Sequence, residues 1–273
     1  MFLKMSESAG GSSSTANIIL EKDKLKILCL HGYRQNGDTF KSKLCSFRKV
    51  VSKFADLTFL SATHTAPPID ENHTDYDPLT QKSWWFNKDE LDAQNRSFKG
   101  TNKNGPAFGF EESLRLVEKT WKEGEFHGLL GFSQGACFVG LLASLSERGM
   151  TNIKPRFCIM ASGFKSGSLV HLNYYDDTIT IPSLHIFGET DNVIPNEMSE
   201  ELADIFDDPQ ILRHSGGHYF PSTTQQKEFY RNYFQDMLQE YLEAKEIENA
   251  NALNSVTILN EEENGGDDQS SSE

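Results

Sequence analysis

Residues Gly128-Leu129-Leu130-Gly131-Phe132-Ser133-Gln134-Gly135-Ala136 read GLLGFSQGA, an apolar run that ends in a GxSxG pentapeptide and continues into small, apolar residues. The run Gly128–Phe132 predicts a buried strand, and Ser133–Leu145 predicts a helix. A serine at such a junction stands on a strained turn, with glycine on each flank so that strand and helix can pass close together. Its hydroxyl projects at the positive end of the helix. The pentapeptide alone arises by chance with a probability of roughly 0.1 in a chain of this length. Its strand and helix flanks make Ser133 a candidate nucleophile, set against the plainer reading of a helix N-cap.

Outward from this junction the same alternation repeats. Short apolar runs at Lys26–Leu30, Leu57–Leu60, Arg156–Ala161, Ser183–Phe187 and, weakly, Gln210–Arg213 predict strands. Between them, Thr39–Phe54, Phe110–Trp121, Glu197–Phe206 and Thr224–Tyr241 carry apolar residues at helical spacing. Continuous apolar strands separated by helices mean an α/β fold: a mostly parallel sheet flanked by helices on both faces. Functional groups in such sheets gather beyond the carboxyl ends of the strands.

A serine hydroxyl is a weak nucleophile and requires a base. In strand–turn–helix hydrolases the order along the chain is serine, acid, histidine. His218, in Ser215-Gly216-Gly217-His218, follows the last strand in a glycine-rich loop and is the candidate base; His214, at that strand's end, is the alternative. Asp191, in Phe187-Gly188-Glu189-Thr190-Asp191, follows the preceding strand and is the candidate acid, with Glu189 as alternative. Its role would be to orient the imidazole and stabilise its cation. Acyl transfer also needs two amides aimed at the oxyanion. The N–H of Gln134 is one candidate and that of Tyr33, in His31-Gly32-Tyr33-Arg34-Gln35-Asn36-Gly37, the other. His31 is read as a structural residue shaping this loop, and Arg34 and Gln35 either order it or touch substrate.

The net charge is −14, but nine acids and one lysine between Glu243 and Glu273 account for −8 of it, leaving −6 for the other 242 residues. No basic stripe points to nucleic acid. No apolar window reaches the roughly 18 residues of a membrane span, and none near the N-terminus has the form of a signal peptide. A soluble protein of the cytoplasm is the expectation, with the nucleus open. Cys29, Cys45, Cys137 and Cys158 form no CxxC pair and read as reduced thiols, not disulfides or metal ligands. The expected organisation is a disordered segment over 1–23, one folded domain over 24–242, and an acidic, largely disordered tail over 243–273.

CLHGYRQNG, WWF (Trp84–Phe86), GLLGFSQGA, SGF (Ser162–Phe164), PSLHIFGETDNVIP and HSGGHYFP, in this order, resemble the FSH family of serine hydrolases. The likeness is closest to its animal branch, that of the ovarian-cancer-associated esterase, and covers roughly Lys24–Tyr241. It implies an α/β-hydrolase fold without a large lid domain, no cofactor, no metal, and ester hydrolysis by Ser133, Asp191 and His218. The expected function is a serine esterase acting on small acyl esters. Thioester hydrolysis on the same triad is the alternative; a non-catalytic interaction protein on a hydrolase scaffold is a further one. In the long segment Ser61–Pro106, Trp84, Trp85 and Phe86 either line an apolar acyl site or pin the segment to the core.

Overall fold

The computed structural model describes residues 24–69, 76–88 and 96–264. Six strands form one parallel sheet: β1 (Leu25–Leu30), β2 (Ala55–Leu60), β5 (Gly128–Phe132), β6 (Phe157–Ala161), β7 (Ser183–Gly188) and β8 (Gln210–His214), in the order β2-β1-β5-β6-β7-β8. The predicted strands are all present, and even the weak run at 210 is a true edge strand. A two-stranded antiparallel ladder, β3 (His64–Thr65) and β4 (Lys82–Ser83), was too short to leave a sequence signal.

Alternation along each strand feeds two cores. Leu28 and Leu30 of β1, Leu129 of β5, and Cys158 and Met160 of β6 pack on one face, with α3 (Phe110–Gly124), α4 (Gln134–Glu147) and α5 (Asn196–Ala203). Leu25, Ile27 and Cys29, Leu130 and Phe132, and Phe157, Ile159 and Ala161 face the other way, against α1 (Gly37–Lys43), α2 (Cys45–Val51) and α6 (Thr224–Asn264). Both faces are therefore covered, which is why the strands read as unbroken apolar runs. Cys29, Cys137 and Cys158 are buried within these cores as free thiols, and Cys45, the first residue of α2, is exposed.

Two helices depart from expectation. The stretch 39–54 holds two helices, broken at Leu44 (φ −87°, ψ 14°), and Phe40 and Phe47 on either side of the break both reach the core. The first begins two residues early because Asn36 and Thr39 form a reciprocal cap, each side chain bonded to the other's amide at 2.8 Å. At the other end, α6 runs on to Asn264, so residues 243–264 are helical where disorder was expected. The reason is compositional: Glu and Ala supply nine of these 22 residues, and neither Gly nor Pro interrupts before Gly265. The expectations for 1–23 and for 265–273 lie outside the described residues. Between β6 and β7 the only helical piece among the described residues is a short 3-10 turn, Leu169–Tyr175, so no lid domain interrupts the fold there.

The chain passes from β1 outward to β2, then returns to place β5 on the opposite side of β1. That reversal opens a crevice between the carboxyl ends of β1 and β5, the usual position of a ligand site in an open parallel sheet.

Candidate active site

Five loops meet above this edge. Ser133 leaves β5 with φ 52° and ψ −114° and leads directly into α4. A Cβ on Gly131 would stand 2.4 Å from the carbonyl oxygen of Gly135, and one on Gly135 2.1 Å from that of Leu30, so both flanks of the serine are closed to any larger residue. The Ser133 amide donates to Ala161 O at 2.8 Å, tying the turn to β6. This left-handed, non-glycine backbone stores on the order of 1–3 kcal/mol, held by the packing around it.

After β7, Asp191 sits with its side chain fully buried, and after β8, His218 sits with its side chain 19% exposed. Nδ1 of His218 lies 2.7 Å from Oδ2 of Asp191. Because a carboxylate only accepts, Nδ1 carries the proton, and Nε2 is left as the basic atom of the neutral ring. The other acceptor sites of Asp191 are also filled: Oδ1 takes the amides of Val193 (2.8 Å) and Ile194 (2.9 Å), and Oδ2 takes the hydroxyl of Ser162 (3.1 Å). Burial by itself pushes this carboxyl up. The bonds from His218 and from the Ile194 and Val193 amides outweigh it and hold the group below the usual carboxylate range.

The alternatives separate clearly from these two. Glu189 is exposed and uses its backbone to join the loops, its amide donating to His214 O at 2.8 Å. His214 is buried, accepts the Gly216 amide on Nδ1 at 3.3 Å, and among the described residues has no partner on Nε2. Its pKa is lowered, chiefly by burial. His31 is fully buried: the Gly32 carbonyl accepts from its Nδ1 at 2.8 Å, and its Nε2 accepts the Ala62 amide at 3.0 Å. Burial drops its pKa to about 4, so it is neutral and fully engaged, as a loop-shaping residue would be.

Among the described residues, neither the Ser133 hydroxyl nor Nε2 of His218 has a hydrogen-bond partner, so the two are not joined. The imidazole instead lies against the ring of Phe132, the residue before the serine, at 4.9 Å between centroids. Unliganded sites commonly show such long serine–histidine geometry, which tightens when substrate binds. The amides of Tyr33 and Gln134 likewise have no acceptor among the described residues; that of Gln134 is freed by its place at the first turn of α4. The Tyr33 loop is held open by Arg34 (φ 60°), whose amide donates to Lys82 O at 2.8 Å.

The three aromatics proposed for an acyl site behave otherwise. Trp84 and Trp85 are 0% exposed and Phe86 is 9% exposed. Trp84 packs against Phe138, Trp85 against Phe110, Phe138 and His171, and Phe86 against His64, and Trp84 Nε1 donates to His31 O at 2.8 Å. This is core packing, and it corrects the acyl-lining expectation: the segment is pinned. The pin is the side chain of Gln134, whose Oε1 accepts the Trp84 amide at 3.0 Å and whose Nε2 donates to Trp85 O at 2.8 Å.

The opening beside His218 lies elsewhere. A cavity of about 340 Å³ is lined by Gln35, Phe40, Lys43, Leu44, Phe132, His218, Tyr219 and Phe220. A cleft of about 400 Å³ between α2 and α6 is lined by Lys49, Lys53, Lys227 and Arg231 among others, and by none of Ser133, Asp191 or His218.

The family model described as Serine hydrolase (FSH1) matches residues 20–230. The chain belongs to the FSH1 serine hydrolase family. Within that family, an esterase of Anopheles gambiae (AGAP003155) is 59% identical over 242 residues, covering 89% of each chain. Esterase OVCA2 of Danio rerio is 41% identical over 77% of this chain and 96% of its own, and the Homo sapiens protein of that name 37% over 76% and 93%. Among solved structures, Zea mays acyl-protein thioesterase 2 superposes with a TM-score of 0.54 at 16% identity, over 79% of this chain and 94% of its own. Arabidopsis thaliana SOBER1 gives 0.53 at 14%, over 79% and 99%. The FSH1 member described here thus has the α/β-hydrolase fold. Ser162 is the residue that sequence reasoning passed over: it stands in the SGF motif at the carboxyl end of β6, the strand between the serine and the acid. That position was the available signal.

Proposed function

We propose that the protein hydrolyses carboxylic esters through an acyl-enzyme on Ser133, with His218 as base and Asp191 orienting it. The observation that carries this reading is the 2.7 Å contact between His218 and Asp191 on loops next to a glycine-flanked serine at positive φ. Membership in a serine hydrolase family supports the reaction type, and the relatives' description as esterases supports the bond attacked.

In this mechanism Oγ of Ser133 and Nε2 of His218 come together as substrate enters. Nε2 takes the proton while Oγ attacks the acyl carbonyl. The amides of Tyr33 and Gln134 receive the tetrahedral oxyanion, and the partial positive charge at the start of α4 adds to them. Nε2 then returns the proton to the departing alcohol, and water repeats the sequence on the acyl-enzyme. Asp191 keeps its charge throughout. Its four hydrogen bonds stabilise the anion that faces the imidazolium.

A thioester substrate is the second reading, favoured by the structural likeness to a thioesterase. The triad serves either bond, so paired oxygen and sulfur esters of one acid separate the two. For the mechanism itself, a fluorophosphonate should label the wild type and not Ser133→Ala, and kcat/KM should fall by roughly four to six orders of magnitude. Activity retained by Ser133→Ala ends the proposal.

A further inference from the structure

The side chain of Gln35 stands in the wall of the cavity beside His218, and nothing in the described fold uses it. The residue is 8% exposed, its Oε1 is shut off from water, and neither atom of the carboxamide has a hydrogen-bond partner among the described residues. Its backbone, in contrast, is engaged: the amide donates to Gly32 O at 3.2 Å and the carbonyl accepts from the Lys82 amide at 3.0 Å. The turn is therefore made by the main chain, and the side chain is free of that duty. Buried polar groups are paired as a rule, and an exception at the rim of an active site asks for a ligand.

The rest of the cavity narrows what that ligand is. Phe40, Leu44, Phe132 and Phe220 make the walls apolar, Lys43 and Tyr219 are exposed, and His218 closes one end. A volume of about 340 Å³ lies at the lower end of the range for small-molecule sites, roughly 300–1,000 Å³. An apolar cavity with one unpaired amide orients its guest by a single hydrogen bond. Oε1 is closed off as the carboxamide stands, so the guest meets Nε2, or Oε1 after a half-turn of the last torsion, and a hydroxyl, a carbonyl or an amide on the guest satisfies one or the other.

The presence of His218 among the walls decides which half of the ester enters. The imidazole must touch the leaving oxygen to protonate it, so a cavity that the imidazole borders begins where the alcohol departs. We propose that this cavity receives the alcohol part of the ester and that Gln35 reads a hydrogen-bonding group on it. The inference rests on the mechanism proposed above. It assigns the protein to esters whose alcohol is an apolar body bearing one polar substituent.

The test uses the full chain and two matched pairs of esters. One pair is the acetates of 2-(4-hydroxyphenyl)ethanol and 2-(4-methylphenyl)ethanol; the other is the ethyl esters of the corresponding 3-arylpropanoic acids, which carry the same groups on the acyl side. The wild type should prefer hydroxyl over methyl by about tenfold or more in kcat/KM on the alcohol side alone, and Gln35→Met should bring that ratio towards unity. A ratio measured on one preparation does not depend on how much of it is folded. If Gln35→Met yields no soluble protein, Gln35→Glu carries the test on the acetate of 2-(4-acetylphenyl)ethanol, whose acetyl group only accepts: the wild type should prefer it to the methyl-bearing ester, and Gln35→Glu should lose that preference while keeping the one for hydroxyl. A hydroxyl-to-methyl ratio unaltered by Gln35→Met, an acetyl-to-methyl ratio unaltered by Gln35→Glu, or a preference confined to the acyl-side pair overturns the assignment. Fluorophosphonate labelling separates the two levels: an unlabelled wild type defeats the mechanism, whereas a labelled one without alcohol-side preference defeats only the role of Gln35.

Discussion

Ser162 and His218 share one oxygen of Asp191, the hydroxyl at 3.1 Å and the imidazole Nδ1 at 2.7 Å. The serine comes from the end of β6, adopts φ 47°, and is fixed by its own amide to Ile186 O at 2.7 Å. In the proposed mechanism it is a positioning residue, bonded to Asp191 and not to the reacting atoms.

Replacing Ser162 with Ala removes one of four bonds that favour the ionised carboxyl. A lost hydrogen bond to a charged group is worth about 1.5–3 kcal/mol, so kcat/KM should fall by roughly 10- to 100-fold. The Asp191 pKa should rise, and the acid limb of the pH–rate profile should move to higher pH. A drop in rate with an unmoved acid limb would show that Ser162 does no more than pack.

Gln134 has a fully buried side chain bonded to Ser83, Trp84 and Trp85. Gln134→Leu keeps the volume and leaves the Trp84 amide unpaired in the core, while Ser83 Oγ and Trp85 O keep their 2.7 Å bond to each other, at a cost of about 1–3 kcal/mol. For a chain of this size each kcal/mol moves the melting temperature by about 2–4 °C. Scanning calorimetry should therefore show a fall of several degrees or more; a shift under 2 °C would mean that the pin is dispensable.

Burial lowers the pKa of His31 and His171 to about 4 and of His185 to about 3, against an ordinary 6.5. A base whose folded pKa is depressed binds fewer protons folded than unfolded. Its contribution to stability is complete above pH 6.5 and is lost as the pH falls towards 4. Each such imidazole removes at most ~1.4 kcal/mol per pH unit in that window. Melting temperature should thus drop steeply between pH 6.5 and 5, and His185→Leu should make the drop shallower. A flat profile in the wild type would contradict the neutral, buried state of these rings.

The exposed pair Arg156–Glu248, at 3.4 Å with side chains 42% and 69% exposed, is an ion pair between α6 beyond Leu242 and the domain. Such pairs contribute about 0–1 kcal/mol. Tyr241, in contrast, packs on His127 with centroids 4.3 Å apart and belongs to the core margin. A chain ending at Leu242 should melt within about 4 °C of the full chain, and one ending at Asn232 should not fold, since Tyr233, Phe234 and Leu238 are core residues. Thermal melts of the two decide it.

Much of this site was legible in the residues because its logic is local. An apolar run into GxSxG, a glycine loop before His218 and a turn after β7 each announce a loop at the carboxyl end of a strand, and a parallel sheet brings such loops together. What sequence could not reveal depends on contacts across long separations. Whether Trp84 and Trp85 line a site or a core turns on the carboxamide of Gln134, some fifty positions away. The part played by Ser162 turns on a bond spanning 29 positions to Asp191. The helical run beyond Leu242 was misread for a different reason: acidic composition was weighed more heavily than helix propensity.

The distribution of sulfur gives the protein a ready handle. Burial raises the pKa of Cys29, Cys137 and Cys158 far above that of a free thiol, which leaves Cys45 as the exposed one. It adjoins Leu44, a wall of the cavity beside His218. A maleimide dye added to the native chain will settle on that one sulfur, where its fluorescence can report the arrival of a guest without any engineered cysteine.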